Sequence, residues 1–376
     1  MPVPMICRDE RLGQFAAAFR GCFSKPQARY FEIVLLALLL CQERHTLSGL
    51  RRQIAEPLSV AGLSRFLSTA PWSAAAVIAL WTARFAAQMA PRVAEEQRQR
   101  AERPTRRGRP PAPVVTGYLI GDDSTMAKRK GKTMAGLGLH HSTTEGTRVR
   151  GHSLVQGLYV LLGRQCLLAP QLYRQQEVCA TEGVPFQSTI DLMEERIRTF
   201  TPVAGTQTHV LLDSWYTAKR LWKAARARDF LITSGLKSNR SLRVPDATAV
   251  GGWRWQTLRA YAAGLAAEDY KEMVWPSQSA EPRTVFVHVV STRVRKLYRC
   301  QVVVVRESLT APLAEARFWA SSDLEAAAAT LLEHIAARWA IEIVPTRCAT
   351  SGDQGESGER PRKTARVGST PKTVYA

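Results

Sequence analysis

Asp122 and Asp123 close a run of β-branched and aromatic residues, Val114-Val115-Thr116-Gly117-Tyr118-Leu119-Ile120-Gly121. The run reads as a buried strand leading into two adjacent carboxylates, with Ser124 following. A second junction of this kind stands at His209-Val210-Leu211-Leu212-Asp213, and a third acid, Glu342, falls near the end of the last helical pattern. Carboxylates gathered at one edge of a sheet offer hard oxygen donors to a hard cation. Three of them suit two-metal phosphoryl transfer: two Mg²⁺ about 4 Å apart, with Mn²⁺ as a substitute, activate the attacking oxygen and stabilise the leaving one. Without the metal, crowded carboxylates repel and raise one another's pKa. Side chains alternate along a strand, so Asp122 and Asp123 point to opposite faces and only one can share the pocket. Taken alone, Asp-Asp-Ser is equally a turn initiator at a strand end.

Other residues carry weaker signals. Trp215 and Tyr216, just after Asp213, are suited to stacking on a splayed base, or equally to packing the helix that follows. His140, His141 and His152 have no Cys or further His at ligand spacing, which argues against a zinc site. Gly136-Leu137-Gly138 lacks the third glycine and helix start of a dinucleotide fingerprint.

The elements that must position these residues divide into zones. Residues 1–90 read as all-helical: Arg29 to Glu43 and Ala74 to Met89 are long apolar helices, and Leu47 to Gln53 and Ser59 to Leu67 are short amphipathic ones. Arg51, Arg52 and Arg65 on their polar faces point to a helix-turn-helix-like DNA reader, the alternative being a plain helical bundle. Residues 91–113 read as a linker rich in Arg and Pro, with Arg106, Arg107 and Arg109 in an arm suited to lie along phosphates. From 114 the pattern turns α/β. Strands at Gly136 to His141 and Ser153 to Leu162 are followed by a helix at Gln187 to Phe200, the Asp213 strand, a basic helix at Thr217 to Arg228 and a strand at Phe230 to Gly235. Residues 238–320 read as a β-rich insertion, with strands at Thr284 to Val290, Tyr298 to Val305 and Ala316 to Ala320. Asp323 to Val344 then reads as one helix with Asp323 at its N-terminus.

The whole chain is basic: 52 Lys and Arg against 32 Asp and Glu in 376 residues, a net charge of +20. Such a field meets a polyanion, with nucleic acid the default partner. The longest clean apolar run, Ile33 to Cys41, is about half of the roughly 20 residues a spanning helix needs, and the N-terminus lacks signal-peptide order. Seven scattered cysteines without a Cys-x-x-Cys pair fit a reducing compartment. These features together describe a cytoplasmic protein that faces nucleic acid and does not enter a membrane.

In their order, Gly121-Asp122-Asp123-Ser124, Leu211-Leu212-Asp213-Ser214-Trp215-Tyr216, Leu236-Lys237-Ser238-Asn239-Arg240 and Arg338-Trp339-Ala340-Ile341-Glu342 resemble a DDE-type transposase of a bacterial insertion sequence, of the cut-and-paste class. Leu63-Ser64-Arg65-Phe66-Leu67-Ser68 with Trp72 resembles that family's helical domain. The resemblance implies a ribonuclease-H-like catalytic core in segments 114–237 and 321–344, interrupted by the insertion. It implies Mg²⁺ at Asp123, Asp213 and Glu342, with Asp122 as understudy for the first aspartate. It further implies water and then a 3′ hydroxyl as nucleophiles, terminal inverted repeats and target DNA as substrates, and a homodimer that bridges two DNA ends beside the nucleoid. Arg338, Trp215, Tyr216, Lys237, Arg240 and the run Lys128, Arg129, Lys130 are the expected DNA contacts. Arg338 lies one helical turn from Glu342 and either touches DNA or orients that carboxylate. The family's tyrosine and lysine positions hold Ile335 and Ala349 here, and Pro345 cuts the helix. Residues 345–376 are polar and aperiodic, which is the expectation for a frameshifted or disordered tail.

Overall fold

The structure is a computed structural model that describes residues 10–41, 45–54, 59–102, 114–128, 131, 134–142, 145–276 and 282–342. Arg106, Arg107, Arg109, Arg129 and Lys130, and the tail expected from 345 on, lie outside the described residues. The chain divides into two compact units, with a boundary between Pro71 and Trp72.

The first unit is helical: α1 (Glu10–Ala17), α2 (Lys25–Leu40), α3 (Leu47–Arg52) and α4 (Val60–Ser68). Its short helices start where side-chain caps satisfy their orphan amides. The hydroxyls of Thr46 and Ser59 accept from Gly49 N at 3.0 Å and Gly62 N at 2.9 Å. Phe19, Leu63 and Phe66 are buried, and Phe23 stacks on Phe31 at 4.6 Å. Gly62 is needed by close approach, because a Cβ there would meet the Tyr30 hydroxyl at 2.5 Å. Arg51 turns back onto Ile54 O, whereas Arg52 and Arg65 are exposed.

The second unit opens with α5 (Ala74–Glu102), which runs thirteen residues further than the sequence pattern indicates and passes through Pro91. Ion pairs one turn apart, Glu95 with Arg98 and Glu96 with Arg100, sustain its polar half. Gln97 and Arg100 tie that half to the carbonyls of Gly205 and Val114. Phe85, Met89 and Val93 of α5 sit in the main core, so this helix belongs with the α/β unit and not with the N-terminal helices.

The strands and helices that follow are β1 (Val115–Ala127), β2 (Gly138–Ser142), β3 (Thr147–Leu161), β4 (Arg164–Leu167), β5 (Gln171–Tyr173), α6 (Gln176–Glu182), α7 (Thr189–Thr199), β6 (Thr206–Leu212), α8 (Lys219–Arg226), β7 (Leu231–Leu236), β8 (Ser241–Pro245), β9 (Trp253–Thr257), α9 (Leu258–Ala263), β10 (Lys271–Val274), β11 (Thr284–Arg293), β12 (Arg299–Arg306), β13 (Arg317–Ser321) and α10 (Ala328–Ala337). One large mixed sheet runs in the order β10-β11-β12-β13-β7-β6-β1-β3-β2, with β4 and β5 also on β3. Among the described residues, only β1, β6 and β7 pair in parallel. Hydrophobic side chains of α7 and α8 cover one face, and α10 covers the other. The described cysteines are free, and all but Cys22 are buried. No described helix is long and apolar enough to cross a membrane.

Two expectations change. The β-rich segment does not stand apart: β13 pairs antiparallel with β7, from Phe318↔Leu236 to Ser321↔Thr233, so β10 to β13 extend the central sheet. Phe318 and Ala320 point into one core and Trp319 into the other, as a strand covered on both faces requires. The expected helix from Asp323 begins only at Ala328. Gln301 Nε2 donates to the carbonyls of Asp323 and Ala326 at 2.9 and 3.0 Å, and Asp323 Oδ1 accepts from Glu325 N and Ala326 N, which folds this stretch as a turn. The helix also breaks at Arg338 and Trp339 before a last helical turn carries Ile341 and Glu342.

Candidate active site

β1 pairs with β6 from Val115↔Thr206 to Gly121↔Leu212, and there β6 ends. β1 itself goes on against β3 as far as Ala127↔Gly151. Asp122 and Asp123 therefore lie in mid-strand, not at a strand end, beside the notch opened where β6 leaves the sheet. The C-terminal edge of parallel strands is where such crevices form.

Alternation assigns the faces. Ile120 and Leu211 are partners in register and both pack with Ile341 on the α10 face. Asp122 and Asp213 each come two residues later, on that same face. Leu119, Val210 and Leu212 pack on the α7 face, and Asp123 follows them: its Oδ1 accepts from the Tyr216 hydroxyl at 3.2 Å. So Asp122 is the aspartate that shares a face with Asp213 and the Glu342 turn, whereas the expected Asp123 is turned toward the α7 side.

Arg338 links the acids on the α10 face. Its guanidinium lies 2.6 Å from Glu342 Oε1 and 3.6 Å from Asp122 Oδ2. The side chain is only 7% exposed and packs over the Trp339 ring at 4.5 Å, so it orients carboxylates and is too enclosed for a phosphate to reach. Glu342 itself is partly open to solvent. Asp213 is fixed differently: its Oδ1 accepts from the backbone amides of Trp215 at 2.9 Å and Tyr216 at 3.2 Å.

The electrostatics are those of acids short of counter-charge. Burial, then repulsion from Asp213 and Asp123, pushes the Asp122 carboxyl up to about 7, against the Asp123 amide and Arg338. Burial also raises Asp123, opposed by the Tyr216 hydrogen bond, and Asp213 again adds to the rise. Asp213 is raised by burial, against the Tyr216 amide, Arg338, the Trp215 amide and Lys237. A divalent cation on the α10 face would relieve Asp122 and Asp213 together, and carboxylate oxygens are the donors that Mg²⁺ prefers, so these residues fit such an ion. As placed, no three Asp, Glu, His or Cys side chains among the described residues stand close enough together to hold one.

The family model of the DDE superfamily endonucleases matches residues 18–260, more than half of the chain. The chain belongs to that family. The matched span of this DDE superfamily endonuclease contains Asp122, Asp123 and Asp213 and ends before Arg338 and Glu342. No curated protein shows significant similarity to it.

The remaining expected contacts fall out unevenly. Trp215 is 60% exposed, with its indole N–H on Thr189 Oγ1 and Lys237 above its ring at 5.5 Å. Tyr216 is fully buried, because its ring fills the core under β1, and no base can stack on it. Arg240 spends its guanidinium on the carbonyls of Thr217 at 2.5 Å and Arg295 at 3.5 Å, bracing the segment after Asp213. Lys128 is half-buried at the end of β1, and Lys237 is exposed.

Sequence reading missed a buried pair beneath the site. His209 on β6 and His334 on α10 face each other at 4.0 Å, with Tyr118 of β1 edge-on to His334. His209 Nε2 lies 2.8 Å from Thr233 Oγ1, while the Nδ1 atoms of both histidines have no partner. The alternation His209, Leu211, Asp213 is the signal that would have found it.

Proposed function

We propose that the protein is a metal-dependent DNA transposase that cleaves at terminal inverted repeats and joins the freed ends to target DNA. The observation that carries this is the shared face of Asp122 on β1 and Asp213 just past the end of the neighbouring parallel strand β6, with the Glu342 turn packed beside them. The order of strands around β1, with β3 antiparallel on one side and β6 and β7 parallel on the other, supports a ribonuclease-H-like core. Asp122 and Asp213 would hold Mg²⁺ or Mn²⁺, with Glu342 completing the set, and Asp123 takes the supporting place. Bound there, the ions supply Lewis-acid stabilisation and a nucleophilic oxygen at neutral pH. The backbone amides of Trp215 and Tyr216 fix the Asp213 carboxylate, and Arg338 sets the direction of Glu342. Lys237 and the exposed Trp215 ring offer a charge and a stacking face to the DNA end next to Asp213. Lys128 adds charge at the end of β1, the arginine-rich sequence of 103–113 is suited to phosphates, and a homodimer would bring two ends together.

The test is incubation of the full chain with labelled element ends, Mg²⁺ and a target plasmid. Cleavage followed by joining supports the transposase. Cleavage without joining assigns a nuclease. If Asp213→Ala and the wild type are equally inert while both bind DNA, the chain is a DNA-binding regulator without catalysis.

A further inference from the structure

The β11–β12 hairpin is basic at its tip, on a part of the molecule that the catalytic reading does not use. Arg293, Arg295, Lys296 and Arg299 are all exposed. Arg293 and Arg299 are direct cross-strand partners, yet like charges placed opposite each other destabilise a hairpin. Neither has an ion-pair partner among the described residues. Both line two neighbouring clefts of about 600 and 580 Å³. Aromatic rings stand on either side: Arg243 lies 3.8 Å over Trp253 in the first cleft, and Arg226 lies 5.7 Å over Tyr298 in the second. The second cleft also borders Gln207 and Leu231, near the N-terminal ends of β6 and β7, whereas Asp213 follows the C-terminal end of β6.

We propose that this hairpin end is a second DNA-binding surface, which grips the phosphate backbone of duplex DNA away from the cleavage site and without reading sequence. Repulsion between Arg293 and Arg299 is relieved when a phosphate lies between them, so the pair favours the DNA-bound protein. The clefts are open and charged, the form that suits a passing backbone. The inference rests on DNA being the substrate, as family membership implies.

The experiment measures binding, not cleavage: the full chain, a linear random-sequence duplex, chelator present, across a salt series. Each phosphate contact contributes a slope of about 0.9 in log affinity against log salt. Arg293→Gln/Arg299→Gln is expected to flatten that slope by about 2, so that between about 50 and 200 mM salt the wild type loses roughly tenfold more affinity than the variant. Arg293→Lys/Arg299→Lys keeps the charge and is expected to keep the slope. The Gln variant should melt no lower than the wild type, since a repulsion has been removed. An unchanged slope in a folded Gln variant overturns the inference while leaving DNA binding intact. Failure of the wild type to bind duplex at low salt overturns both the inference and the DNA reading beneath it.

Discussion

Arg338 shows how one side chain sets the character of the site. It is a buried cation that faces Asp122 and Glu342 together, and its field reaches Asp213 as well. Removing this buried cation leaves the acids it faces uncompensated, which is costlier than never having had the pair. Arg338→Ala should therefore destabilise the protein by about 2–4 kcal/mol in chemical denaturation with chelator present. Added Mg²⁺ should recover part of that loss, because a divalent ion supplies the missing charge; no recovery would argue against a cation site at these acids. The sequence made Asp122 and Asp123 visible as a pair facing opposite ways, and made Asp213 and Arg338 visible one by one. It did not say which face was which. That depends on the register of β1 against β6 and on where Ile341 docks, both set by long-range pairing. Tyr216 illustrates the same limit: beside an acid its ring reads equally as a stacking platform or as core, and only the packing under β1 decides.

At the scale of elements, the docking of α10 carries a pH signature. Burial holds the His334 ring down at about 4, and His209 is lowered too, by burial and by His334. In the unfolded chain these rings take protons near pH 6.5, so the unfolded state binds more protons between about 4 and 6.5. Stability from the pair is thus present above pH 6.5 and is lost as pH falls toward 4, by at most about 1.4 kcal/mol per unit for each ring. Asp323 faces His334 and offsets a little of this, Glu333 acts on the neighbouring Tyr118, and Asp122 works in the opposite direction. Urea denaturation at pH 7 and pH 5 should show a smaller difference for His334→Gln than for wild type; an equal difference would place the pH sensitivity elsewhere. Most of these elements were legible, since β1, β6, β7, α7 and α8 all show clear periodicity. The boundaries that failed have tertiary causes. Gln301 claims the carbonyls that would have begun α10 at Asp323, and contacts to Gly205 and Val114 carry α5 past Pro91.

For the whole molecule, the excess of positive charge matches a DNA substrate, and the second unit carries the partly exposed acids of the site. Chain separation of the acids is bridged by the sheet: β1 and β6 are neighbours although two hairpins and two helices intervene, and the long excursion through β8 to β13 returns the chain to the α10 face. The insertion was legible as β-rich. Its merger with the main sheet was not, because nothing in a strand's own sequence names its partner. In the proposed function, Asp122 and Asp213, not Asp123, carry the metal-dependent chemistry. This assignment is tested most directly by comparing DNA cleavage by Asp122→Asn, Asp123→Asn and Asp213→Asn with wild type in Mn²⁺. The expected result is no detectable cleavage by the first and third, and a loss of only about 10–100-fold for Asp123→Asn, the scale of a group that supports a metal ligand without being one. Robust cleavage by Asp122→Asn alongside an inert Asp123→Asn would contradict it.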